Sequence, residues 1–194
     1  MLYDYQHYKN LRNNTWEILI DTEIHTLPVK ISTVCKKLGI GIQKYNVAES
    51  EALFLNYAIN GIPQYKDAFT FESNGNFKIF YNEASARQNI RFAVAHELGH
   101  IIEGDTQRRF LNNESEKQAD MFATRILAPA CVLWGLDLHS PEDIARVCDI
   151  PLRVAQKRAV RMEVLYERNK FLISPTEQEL YRQFYAFIQE NKSF

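Results

Sequence analysis

The feature that most constrains this chain is a pair of histidines and a glutamate set in an otherwise apolar segment, RFAVAHELGHIIEGD at residues 91–105. Burying an ionisable group that has no partner is costly. His96, Glu97 and His100 therefore require a metal ion, a network of hydrogen bonds, or exposure on one face of the segment. Which of the three applies determines the chemistry that this chain can perform.

The surrounding sequence predicts that this segment is a helix. Ser85-x-x-Gln88 has the pattern of a capping box at the start of a helix, and Gly104 is typical of a helix end. On a helix, residues four apart lie on one face with about 5–6 Å between their Cβ atoms. His96 and His100 can therefore each give one nitrogen to a zinc ion at roughly 2.0–2.1 Å.

Glu97 completes the pattern HExxH, in which two histidines bind a metal and the glutamate acts as a general base. Its side chain is rotated beside the face of the ligands, where it can contact a water on the metal without binding the metal itself. The bare pattern occurs by chance in roughly one chain in a hundred of this length. A hydrogen-bonded pair of core histidines therefore stays open as the alternative.

A catalytic zinc site takes a third protein ligand and keeps its fourth position open. Glu103 is disfavoured because it lies about 10 Å along the helix axis from the first histidine, and Thr106 stands where a metzincin has its third histidine. The segment ESEKQAD offers a better match, since its two outer acids project from one face of the next helix, although such a pair is also typical of a solvated face. Glu116 is the expected third ligand, with Glu114 as its rival, and Asp120 is expected to accept the N–H of a ligand imidazole.

The remaining sequence predicts a mostly helical α+β fold with one small sheet. The alternating, β-branched stretch at residues 40–47 predicts a strand. Strands predicted at residues 68–71 and 77–81 flank Asn74-Gly75, which supply the positive φ values of a tight hairpin. Further helices are predicted from 3 to 20, from 29 to 38, from 112 or 113 to 128, from Ser140-Pro141 to the turn at 150–151, from that turn to about 169, and from Ser174-Pro175 onward with Leu180, Phe184 and Ile188 on one side.

Composition limits the class of partner and the compartment. The 194 residues are 46% hydrophobic and 24% charged, which is sufficient for a sizeable core, and the formal net charge of −1 gives no overall attraction to nucleic acid or an anionic membrane. Cys35, Cys131 and Cys148 form no CxxC pair, which suits a reducing compartment. The first residues lack an apolar signal core, and no run approaches the ~20 apolar residues that cross a bilayer. We therefore expect a cytoplasmic protein with no membrane partner.

Two stretches of the chain, RFAVAHELGHIIEGD and ESEKQADMFATRILAPA, resemble the ImmA/IrrE family of zinc metallopeptidases. The second contains the family's E-x-x-A-D-x-F-A pattern and its Leu-x-Pro ending, here Leu127-Ala128-Pro129. The resemblance is clear over roughly residues 79–129 and weaker as far as 159. It implies a zincin-like, gluzincin-type core in residues 1–139, followed by a C-terminal helical segment, 140–194, that packs on the same domain.

The same resemblance implies a metal site and a biological function. It places Zn²⁺ on His96, His100 and Glu116. Glu97 is then the base that activates water for peptide hydrolysis. Relatives encoded on prophages and conjugative elements cleave a helix-turn-helix repressor, and others act in stress responses. The expected partner is therefore such a repressor, and the expected role of this protein is that of an anti-repressor.

Two details of substrate binding are predicted less fully. An extended peptide could pair with a strand edge near residues 77–81. His139 and Tyr81 are the residues considered for stabilising the oxyanion, with a structural role open for both. The oligomeric state is not predicted.

A different function class is suggested by residues 141–169, which have the outline of a helix-turn-helix. Arg153, Lys157, Arg158 and Arg161 could contact phosphates there. The alternatives are therefore a DNA-binding transcriptional regulator, or a module that binds a repressor without cutting it. Acidic residues dilute the basic character of the segment, so no direct nucleic-acid partner is expected, and the intact glutamate of HExxH argues against a non-catalytic module.

Overall fold

The computed structural model describes residues 2–46, 67–104 and 113–192, with side chains from residue 10 onward. No helix within those ranges is long and apolar enough to span a membrane. The α+β fold expected from the sequence is confirmed. Its elements are α1 (Leu2–Asp21), α2 (Ile31–Lys37), β1 (Gly41–Tyr45), β2 (Ala68–Ser73), β3 (Asn76–Asn82), α3 (Arg87–Glu103), α4 (Asn113–Leu127), α5 (Ala130–Gly135), α6 (Pro141–Cys148), α7 (Leu152–Glu167), α8 (Pro175–Gln183) and α9 (Tyr185–Asn191).

The small sheet has the strand order β1-β3-β2. Strands β2 and β3 are antiparallel and are joined by the predicted hairpin, in which Asn74 and Gly75 both have positive φ (51° and 76°). Strand β1 pairs with the other side of β3 in parallel. The expectation that a peptide pairs with an edge near residues 77–81 is therefore wrong, because β3 has a neighbour on each side.

Helix α3 starts differently from the sequence prediction. Its N-cap is Ala86, which makes no side-chain capping bond, so the capping box predicted at Ser85 is wrong. The Ser85 hydroxyl donates instead to the carboxylate of Asp67, which precedes β2. The C-terminal end is as predicted, since Gly104 adopts the left-handed conformation (φ 72°) in which glycine carries no steric penalty.

The central packing contact is between α3 and α4. Gly99 makes it possible, because a Cβ atom at this position would lie 3.1 Å from the backbone Cα of Ala119 and 3.2 Å from Phe122. Both neighbours are buried, so neither can move aside easily. The sheet packs against the same helix, and α3 therefore lies between the sheet and α4.

Helix α3 is connected to the C-terminal half of the molecule by the hydrogen bonds of one partly buried arginine. The Arg91 guanidinium donates to the carbonyls of Asp149 (2.9 Å), Cys148 (3.2 Å) and Val29 (2.9 Å), and it forms an ion pair with the Asp149 carboxylate. These bonds fix the start of α3 against the connection between α6 and α7 and against the segment before α2.

The C-terminal helices pack on the same hydrophobic core as the rest of the chain. Ser140 and Ser174 accept hydrogen bonds from the backbone N–H three residues later, as predicted for N-caps. The predicted last helix is divided into α8 and α9 at Phe184. Helix α5 was not anticipated from the sequence, because its six residues are too few to show a period.

Candidate metal centre

Helices α3 and α4 bring two imidazoles and a carboxylate together. Nε2 of His96 lies 3.1 Å from Nε2 of His100. One oxygen of Glu116 lies 3.3 Å from the former nitrogen, and the other lies 3.5 Å from the latter. In the described ranges, these three residues form the one group of histidine, cysteine and acidic side chains that could hold a metal ion.

The donor atoms of the cluster are spaced in a way that suits one metal ion. Ligand atoms at about 2.0–2.1 Å from a tetrahedral zinc are roughly 3.3–3.4 Å apart. The two imidazole nitrogens are 3.1 Å apart, and the two oxygens of Glu116 lie 3.3 Å and 3.5 Å from one nitrogen each, which is close to that value. Two imidazole nitrogens with one carboxylate oxygen are also a donor set of catalytic zinc sites, in which the fourth position stays open.

Asp120 orients the first histidine. Its Oδ1 lies 2.9 Å from Nδ1 of His96, so a proton on Nδ1 leaves the lone pair of Nε2 directed toward Glu116 and His100. Burial acts to lower the pKa of His96, but the hydrogen bond with Asp120 and the charges of the surrounding carboxylates outweigh burial and raise it. The same hydrogen bond, together with the fields of the His96, Lys157 and Arg153 cations, lowers the pKa of Asp120 against the opposing effect of its partial burial.

Glu97 lies on the sheet side of α3, next to the cluster. The hydroxyl of Thr70, in β2, donates to Oε2 of Glu97 at 2.8 Å. Sequence reasoning missed Thr70, because only the packing of β2 against α3 brings it to the helix and no local pattern marks it. The bond fixes the orientation of the Glu97 carboxylate relative to the sheet.

The cluster is reachable from solvent on one side. The side chain of His100 is 4% exposed and that of His96 is 16% exposed, whereas Glu116 is 45% exposed. The carboxylate of α4 therefore faces the opening, and the two imidazoles form the inner wall. Of the three residues of the cluster, Glu116 is therefore the one most accessible from solvent.

The other residues considered from the sequence are not brought into the cluster. Glu103 and Glu114 are absent from the metal-binding group of the described residues. His139 is hydrogen-bonded to Asp137 (2.9 Å) and stacks on the ring of Tyr166 at 4.6 Å. Tyr81 lies on β3 opposite Ala68.

The family model of the IrrE N-terminal-like domain, Peptidase_M78, matches residues 35–170. No curated protein matches the chain. The family match covers more than half of the chain and contains both helices of the cluster, and it is wider than the two stretches that carry the resemblance in the sequence. The chain belongs to the ImmA/IrrE family of metallopeptidases.

Proposed function

We propose that this protein is a zinc-dependent endopeptidase. The observation that carries the proposal is the cluster of His96, His100 and Glu116, whose donor atoms lie close enough together to hold one metal ion. Glu97 is the proposed general base, because it follows His96 on the same helix, its charge acts on that imidazole, and it is not a member of the metal-binding group of the described residues.

Each step of the proposed mechanism uses a residue of known position. Zinc, when bound, supplies Lewis acidity and lowers the pKa of a coordinated water toward ~7. Glu97 takes the proton of the attacking water and later delivers it to the leaving amine. Thr70 keeps the carboxylate of Glu97 oriented, while Asp120 keeps His96 in the tautomer that presents Nε2 to the metal.

The proposed substrate is a helix-turn-helix transcriptional repressor in the same cell. The likeness to anti-repressor proteases of mobile elements supports this choice. Strand β2 offers a place for the scissile segment, because it carries Thr70 beside Glu97 and, within the described residues, pairs on one side only. An extended peptide paired with β2 would run past the proposed base.

The test is incubation of the zinc-loaded protein with a helix-turn-helix repressor taken from its gene neighbourhood, followed by intact-mass spectrometry of the repressor. Glu97→Gln removes the base but not a metal ligand. We expect cleavage to fall by about 10²–10⁴-fold while the zinc content stays the same. Glu103→Gln, on the same helix but outside the cluster, is the matched control and should cleave normally.

The outcomes separate the proposal from its alternatives. Undiminished cleavage by Glu97→Gln would refute the assignment of the base. Tight binding of the repressor by the wild-type protein without any cleavage would instead support a non-catalytic binding module.

A further inference from the structure

A large cavity lies next to the candidate metal centre. It has a volume of about 800 Å³, within the range of roughly 300–1,000 Å³ that is typical of small-molecule sites. Helices α1, α3, α4 and α7 all contribute to its walls. Of the described residues that line it, eight are basic and one, Asp120, is acidic. The whole chain has a net charge of −1, so the positive charge is concentrated at this place.

The basic residues are arranged along two helices. On α7, Arg153, Lys157 and Arg161 follow one another at intervals of four residues and therefore share a face. On α4, Lys117 and Arg125 are eight residues apart and also share a face. Like charges four residues apart on a helix repel each other, and Asp120 is the one acid that lines the cavity beside them. A bound anion would relieve the repulsion on α7.

The cavity also contains a buried guanidinium. Arg158 is 6% exposed, and its Nε has no hydrogen-bond partner among the described residues. Burial lowers the pKa of Arg158 to about 10, so the group stays charged at neutral pH. Nε of Arg12, which lines the cavity from α1, also has no hydrogen-bond partner among the described residues, although this half-buried guanidinium bonds Asn13 and lies over the ring of Trp16. A buried N–H of a cation without an acceptor is costly, and an oxygen of an anionic ligand would satisfy that of Arg158.

Part of the wall is apolar. Phe92, Met121 and Val154 line the cavity together with the basic residues. A ligand that fits both surfaces has several negative charges and one flat apolar portion. Inorganic anions and acidic peptides offer only the first of these features.

We propose that this cavity binds a nucleoside polyphosphate, with its phosphates against the basic faces of α4 and α7 and its base against Phe92 and Met121. None of the four proposed catalytic and metal-binding residues is among the described residues that line the cavity. The ligand is therefore an effector bound beside the proposed catalytic site. Asp120 lines the cavity and also bonds His96, so the two sites share a wall.

The test is isothermal titration of the zinc-loaded full chain with ADP, with pyrophosphate as the comparison ligand. We expect ADP to bind more tightly than pyrophosphate, and binding to weaken as salt is added. Arg158→Met keeps the unbranched stem of the side chain and removes the charge, and it should weaken ADP binding at least tenfold. Arg161→Met, at an exposed position, should also weaken ADP binding, and it serves as the test if Arg158→Met impairs folding. Arg182→Met, on α8 and outside the cavity, should bind ADP normally.

Several results would overturn the proposal. They are no measurable binding of ADP, equal binding by the Arg158 and Arg161 variants, pyrophosphate binding as tightly as ADP, or tighter binding of a tetraglutamate peptide or duplex DNA. The titration measures binding and not cleavage. Its result therefore tests the nucleotide site independently of the proposed peptidase activity.

Discussion

At the scale of single residues, the hydrogen bond between Asp120 and His96 is the contact that prepares the candidate metal centre. The carboxylate fixes the proton on Nδ1 of the imidazole and increases the basicity of Nε2. A similar pair exists elsewhere in the chain, since Asp137 bonds to Nε2 of His139 at the same distance of 2.9 Å, but in an exposed position away from the cluster.

This comparison gives a matched prediction. Asp120→Asn keeps an acceptor near Nδ1 but removes the negative charge, and we expect zinc affinity to fall by about 10–100-fold. Asp137→Asn should leave it unchanged, and asparagine tolerates the positive φ of 58° at that position. A competition titration with a chromogenic chelator measures both. Equal affinities would show that Asp120 has no part in orienting the ligand.

At the scale of elements, the start of α8 contains a buried acid. Glu177 is 2% exposed; its backbone N–H donates to the Ser174 hydroxyl, and its carboxylate accepts from the N–H of Ile173. Burial raises the pKa of Glu177, although the bond with Ile173 and the charge of Arg12 act in the opposite direction. The carboxyl group of Glu177 therefore holds its proton more tightly in the folded state than in the unfolded chain. The contribution of Glu177 to stability is lost as the pH rises from the pKa of the unfolded chain, about 4.3, through the higher pKa of the folded state.

Glu177→Gln should remove this dependence. Glutamine is uncharged, and its carbonyl can still accept from the Ile173 N–H. We expect the variant to be more stable than the wild type at neutral pH, and the difference to vanish as the pH is lowered below about 4.3. Urea denaturation across this range measures the difference, with Glu179→Gln on the exposed face of α8 as the control. A variant that is less stable at neutral pH would mean that the charged hydrogen bond outweighs the cost of burial.

The elements also show what the sequence can and cannot predict. Asn74-Gly75, Gly104 and the serine N-caps are local signals, because the backbone within a few residues decides their conformation. The pairing of β1 with β3 is not local, and neither is the bond from Thr70 to Glu97. Ser85 has the local pattern of a cap, but its hydroxyl is used by Asp67 from a different part of the chain.

The same distinction applies to the two sites. The spacing of His96 and His100 places both on one face of any helix. The spacing of Glu116 and Asp120 on α4 predicts a shared face in the same way. The basic cavity was not predicted, although its residues on α7 were noted as possible phosphate contacts. From the sequence alone, a row of charges on one helix is most simply interpreted as a solvent-exposed face. In the structure, residues of α1 and α4 lie opposite the charged face of α7, and together they line the cavity.

At the scale of the whole molecule, the proposed metal joins two helices that already meet at Gly99. A ligand that binds only the folded state stabilises it by about 2.7 kcal/mol when its free concentration is 100 times the Kd. For a chain of this length, each kcal/mol corresponds to roughly 2–4 °C in Tm. Zinc should therefore stabilise the entire fold and not only the site, because α3 also packs against the sheet and is tied to the C-terminal helices through Arg91.

We expect zinc to raise the Tm of the wild-type protein by about 5–10 °C, and EDTA to reverse the rise. Glu116→Gln replaces a charged ligand with a neutral, weaker one, and most of the zinc-dependent rise should be lost. Glu114→Gln changes the neighbouring acid on α4, the rival ligand by sequence, and should respond to zinc as the wild type does. Differential scanning calorimetry of the wild type and the two variants, each with and without zinc, measures the rise in Tm and shows which of the two acids is the third ligand. If the loss followed Glu114 and not Glu116, the third ligand would be reassigned and the contact between Glu116 and the two imidazoles would have no part in binding the metal.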